Sequence, residues 1–173
     1  MNFKYIYQMN LIKFLFLISI LFILNSPLNA ARTTDSYDGN IFPIYAGNGS
    51  IVPPQTSLKE SLKNERVSIL FFYLDDSSDS KALVPIISGL DLIWRNQIDI
   101  IALTTDELQG KEFNDKNEEG YYWNGYIPQT VLIDGKGKIQ YDKTGLIDID
   151  EINKIIGKIK GIDIEDNSFL VES

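Results

Sequence analysis

The chain has neither cysteine nor histidine among its 173 residues. Without cysteine there is no disulfide, no thiolate nucleophile, no iron–sulfur cluster and no zinc–thiolate site. Without histidine there is no imidazole general base, so Ser-His-Asp and Cys-His triads are excluded. Any general base from the protein would be a carboxylate, a lysine or a tyrosine. Positive charge is also scarce, with 16 basic side chains against 24 acidic ones. Every acid lies beyond residue 31, and Lys4 and Lys13 are the only charges before it. A protein starting at Ala31 would hold 14 basic and 24 acidic side chains, a net of −10. That balance argues against a phosphate-backbone binder, so no nucleic-acid partner is expected. What is present is apolar: 44% of residues are hydrophobic, enough for a packed core in one domain of ordinary size.

Residues 1–30 differ from the rest. Two lysines precede the 11-residue apolar run Phe14–Leu24, Asn25-Ser26-Pro27 breaks it, and Ala30 offers a small residue at a cleavage point. This is the order of a signal peptide. The run is short of the ~20 residues that span a bilayer, so export with cleavage near Ala30 is the expectation, and an uncleaved anchor the other outcome. Residues 31–56, rich in Gly, Pro, Asn and Ser, read as an extended N-terminal segment. Within it Ile41–Ala46 suggests a short edge strand, because Pro43 is tolerated at an edge.

Ser57-Leu58-Lys59-Glu60 has the form of a capping box opening a short helix. Val67–Tyr73 is a nearly continuous apolar run, expected to be a strand buried on both faces. A helix follows from about Ser78 to Asn96, with Leu83, Ile86, Ile87, Leu90, Ile93 and Trp94 at spacings of three and four and a kink at Pro85. Ile98–Leu103 is expected to be a second buried strand, parallel to the first through a right-handed βαβ connection. Gln129–Ile133 and Lys138–Tyr141 flank Asp134-Gly135-Lys136-Gly137, a hairpin signal. A last helix spans about Ile149–Lys160, and residues 161–173 read as an acidic flexible tail. The domain proper is placed at 57–160, an α/β fold with a central mixed sheet flanked by helices in three layers.

Residues 66–160 resemble the thioredoxins. Laid over their W-C-G-P-C-K, the chain reads Asp76-Ser77-Ser78-Asp79-Ser80-Lys81. Pro85 falls on the proline that kinks the active-site helix, and Gly125–Thr130 resembles the loop that holds the family's cis-proline. Ser77 and Ser80 take both cysteine positions, and Phe71 stands where thioredoxins bury an aspartate. Thiol–disulfide exchange is therefore not possible, since a hydroxyl cannot replace a thiolate. The resemblance implies a thioredoxin-like fold without catalytic residues. More narrowly, Tyr37–Ile41, Tyr45–Ser50, Val52–Pro54, Phe72–Ser77 and Tyr121–Thr130 are similar to the cyanobacterial thylakoid membrane photosystem I accumulation factor family. That resemblance implies a redox-inactive accessory protein promoting photosystem I accumulation at the lumenal face of the thylakoid membrane. Its partners would be photosystem I subunits or their assembly intermediates.

Three groups are candidate sites. Ser77 and Ser80 are relic active-site positions, read as N-cap and first-turn residues; the alternative is a serine-type thiol- or glutathione-binding enzyme. Asp75, Asp76 and Asp79 form an acidic cluster, read as dipole complementarity at a helix start; the alternative is low-affinity divalent-cation binding, although no calcium-loop spacing is present. Ile127, Pro128, Tyr121, Tyr122, Trp123 and Tyr126 are candidates for docking a peptide, by strand-like pairing and aromatic anchoring. No metal site or cofactor is expected. Asn48-Gly49-Ser50 matches a glycosylation acceptor but is discounted as a short motif.

Overall fold

The computed structural model describes residues 39–162. The leader 1–30, the cleavage point and tail residues 163–173 lie outside the described residues.

The chain enters through α1 (Phe42–Ala46), a five-residue helix where an edge strand was expected. Pro43 sits in its first turn and Gly47 closes it at φ 65°, in the left-handed region open to glycine. An early proline and a glycine just past the end are the marks of a short helix. Nor is this segment a flanking extension: Ile41 and Phe42 are fully buried in the core.

α2 (Leu58–Lys63) follows, capped by Ser57, whose Oγ accepts the Glu60 N–H. β1 (Val67–Tyr73) is buried along its whole length. α3 (Ser78–Trp94) carries Pro85 inside it. β2 (Ile98–Thr104), β3 (Gln129–Ile133), β4 (Ile139–Thr144) and α4 (Ile149–Lys160) complete the order. The sheet runs β2-β1-β3-β4. β1 is parallel to β2, with Val67 opposite Ile98, and antiparallel to β3, with Phe72 opposite Gln129. β3 and β4 form the expected hairpin. β2, expected to be fully buried, has half-buried positions at Asp99, Ile100, Leu103 and Thr104, because it ends the sheet.

Alternation along β1 divides the core in two. Val67, Ile69, Phe71 and Tyr73 face α1, α3 and α4, while Leu70 and Phe72 face Leu58, Leu108 and Tyr122. Phe42, Phe71 and Tyr73 form an aromatic cluster, Phe71 and Tyr73 stacking at 5.4 Å and Phe42 edge-on to both. A parallel β-α-β unit, an antiparallel hairpin and a closing helix in this strand order make the thioredoxin-like three-layer fold. Phe71 occupies a dry, ring-lined position, where an ionised carboxylate would be strongly disfavoured.

Candidate functional site

Pairing of Phe72 with Gln129 brings the end of β1 and the start of β3 together. The serines, the aspartates and the Ile127–Pro128 bond therefore share one end of the sheet, and that bond is cis.

The two serines are engaged. Ser77 caps α3, its Oγ accepting the Ser80 N–H at 3.2 Å. Ser80 is fully buried, and its Oγ accepts the Leu74 N–H at 3.2 Å, closing the turn that leads out of β1. Lys81 is also fully buried, with Nζ donating to the Asp76 carbonyl at 3.3 Å and lying 6.0 Å from the Tyr45 ring centroid. Burial of the Tyr73 phenol, then the charges of Asp75 and Glu107, push its pKa up to about 12.

The acidic residues have separate tasks. Asp75 Oδ2 accepts the Gly39 N–H at 2.7 Å and fastens the N-terminal segment to the turn that precedes Ser77. Asp79 lies in the first turn of α3, where negative charge suits the helix dipole. Asp76 is exposed and contributes its carbonyl to Lys81. Among the described residues no three carboxylates are gathered for a metal ion.

The aromatic group divides. Tyr122 is a core residue, not a docking anchor: it is 7% exposed, packs under the sheet, and its hydroxyl donates to the Lys116 carbonyl at 3.0 Å. Burial, followed by Tyr121 and Asp115, raises its pKa. Within the 3-10 turn Glu119–Tyr122 the Tyr122 ring enters the core cluster, while Tyr121, edge-on to it at 5.1 Å between centroids, stays at the surface. Trp123 is half-buried against the same cluster. Tyr121 and Tyr126 remain on the surface, at 41% and 70% exposure. Ile127 is half-buried and Pro128 buried.

Residues outside the expected set brace this loop. Gln129 is fully buried; its Nε2 donates to the Tyr122 carbonyl at 3.0 Å and to Asp142 Oδ1 at 2.8 Å, and its Oε1 accepts the Asn124 N–H at 2.9 Å. Asn124 Oδ1 accepts the Tyr126 N–H, and its Nδ2 donates to Thr144 Oγ1, both at 3.0 Å. The Gly145 N–H donates to the Pro128 carbonyl at 2.8 Å. The signal available in the sequence was a glutamine opening an otherwise apolar strand, since a buried amide needs partners.

Asn48 of the discounted glycosylation motif is likewise occupied. Its Nδ2 donates to Ser88 Oγ and Asp91 Oδ2, and its Oδ1 accepts from Ser50, tying the N-terminal segment to α3.

Fold and site together define a thioredoxin-fold domain with no thiol. The chain is 39% identical over 127 residues to a protein of Synechocystis sp. named as a thylakoid membrane protein. The match takes in 73% of this chain and 63% of that protein, so the chain spans less than two thirds of its relative's length. Two solved structures are similar at low identity. An exposed lipoprotein thioredoxin of Streptococcus pneumoniae shares 15% identity at a TM-score of 0.45, covering 56% of this chain and 89% of its own. A mutant thioredoxin from Halobacterium salinarum shares 21% identity at a TM-score of 0.46, covering 61% and 84%. No family model matches the chain. Among the described residues no helix is long and apolar enough to cross a membrane.

Proposed function

We propose that this is a redox-inactive thioredoxin-fold binding module of the thylakoid membrane, acting at its lumenal face to promote photosystem I accumulation by holding a photosystem I subunit or assembly intermediate. The observation that carries the binding reading is a pair of exposed rings, Tyr121 and Tyr126, on a loop braced by Gln129 and Asn124. Exposed tyrosines on a rigid support present apolar area at little entropic cost. The membrane setting is taken from the relative's name, and the photosystem I target from the family resemblance of the sequence. The engaged hydroxyls of Ser77 and Ser80 disfavour the thiol-binding alternative, and the dispersed roles of Asp75, Asp76 and Asp79 disfavour the cation alternative.

The test is a Synechocystis strain lacking the relative and complemented with this chain. Tyr121→Ala/Tyr126→Ala is expected to lower photosystem I content, and Ser77→Ala/Ser80→Ala to preserve it. The reverse outcome, with the serines required and the rings dispensable, defeats the binding reading.

A further inference from the structure

The far end of the sheet holds a cleft of about 670 Å³ between residues 50–56, the C-terminus of α3 and the start of β2. It lies at the N-terminal ends of β1 and β2, opposite the aromatic loop, and the proposed function makes no use of it.

Its groups are arranged unevenly. Ile51, Leu92, Ile98 and Ile100 form apolar wall, and Leu92 is 65% exposed. The acids in the lining already have donors. Asp99 accepts Arg66 Nε at 2.9 Å and Ser61 Oγ at 2.6 Å, and Asp91 accepts Asn48 Nδ2 at 3.1 Å. Arg66 is fixed by that pairing and by donating Nη2 to the Ile98 carbonyl at 3.1 Å. Its Nη1 has no partner among the described residues, nor has the guanidinium of Arg95. The charged groups of the lining are thus two arginines, whose planar forks suit oxyanions, and two acids, Asp99 held by Arg66 and Asp91 with one oxygen taken by Asn48.

Arg95 is also where the backbone departs from the ordinary. Its φ is 43° and its ψ −122°, a conformation glycine enters freely and a side chain resists. A glycine would close α3 without that cost. An arginine kept in a strained conformation at a cleft mouth points to a role for its side chain.

We infer that this cleft is a second binding site, taking a small molecule that ends in an oxyanion, carboxylate or phosphate, and carries a short apolar chain. The oxyanion would meet Arg95 and Arg66 Nη1 while the chain lies on Leu92 and Ile100. The inference does not rest on the aromatic loop.

The test is an NMR titration of the isotope-labelled full chain in detergent micelles with butyl phosphate, butyrate, inorganic phosphate and butanol. Butyl phosphate or butyrate should saturate, shifting the Ile98 and Ile100 amides and the Arg95 side chain. Butanol should not saturate, and inorganic phosphate should bind more weakly than butyl phosphate. Arg95→Gln and Leu92→Glu should each weaken binding by about tenfold or more, while Tyr126→Ala leaves it unchanged. Arg95→Gly should abolish binding and raise the melting temperature. No saturation below about 20 mM, or wild-type affinity in Arg95→Gln, overturns the site. Equal affinity for inorganic and butyl phosphate overturns the apolar half of the ligand. A lower melting temperature in Arg95→Gly removes the strain argument.

Discussion

Ser77 and Ser80 stand three residues apart and hold very different positions. Ser77 is half-buried and caps a helix. Ser80 is fully buried and satisfies the Leu74 N–H. Replacing a cap by alanine costs about 1 kcal/mol. Stranding a buried donor costs about 1–3 kcal/mol. Ser80→Ala is therefore expected to be the more destabilising of the two in urea unfolding, and neither should alter partner binding once folded. Gln129 is a sharper case, because one amide holds Tyr122, Asn124 and Asp142 together. Gln129→Leu fills the space but leaves the Asn124 N–H and Asp142 without that partner. The expected outcome is a loss of about 2–3 kcal/mol, with faster hydrogen exchange at Asn124 and Tyr126.

At the scale of elements, the β3–β4 turn carries a pH dependence. Burial pushes the Asp134 carboxyl up, but the Lys138 and Lys136 N–H groups, Gln140 and the Lys138 charge together bring it below its ordinary value. A lowered folded pKa gives stability that is complete above the unfolded value of about 3.8 and fades as pH falls through the folded one. Asp134→Asn is expected to lower stability at pH 7 and to flatten the acid limb of a pH–melting curve. Next to it, a Cβ on Gly135 would run into the Glu65 carbonyl, so Gly135→Ala should cost about 1–3 kcal/mol. The hairpin was legible because Asp-Gly between β-branched runs admits few other readings. β1 and α3 were legible for a similar reason: six apolar residues in a stretch of seven, and a period of three and four sustained from Leu83 to Trp94. Ile41–Ala46 was not, because six residues are too few to separate periods of 2 and 3.6. Only the spacing of Pro43 and Gly47 marked it as a helix. The division of Tyr121, Tyr122, Trp123 and Tyr126 into surface and core depended on a 3-10 turn with no periodic signature, and so did the docking site.

For the whole molecule, the consequence is a domain boundary. Periodicity places the domain at 57–160, since the regular elements with long apolar faces begin there. Packing places its start earlier. Ile41, Phe42 and Ile51 belong to the same buried cluster as Phe71, Tyr73 and Leu83, and Phe42 sits edge-on to two of the rings. Asp75 and Asn48 add polar fastenings from the same segment to the β1–α3 turn and to α3. Removing residues 39–56 would uncover one face of α3 and that aromatic cluster. Fully burying one large apolar side chain contributes about 1.5–3 kcal/mol. Three such losses are comparable with the entire stability of a domain, about 5–15 kcal/mol. A fragment of residues 57–160 is therefore expected to lose its near-ultraviolet circular dichroism and cooperative melting, whereas Phe42→Ala in the full chain should still fold, weakened by about 3–5 kcal/mol. A fragment that melts cooperatively at the temperature of the full chain would show that the N-terminal segment lies on the core without supporting it.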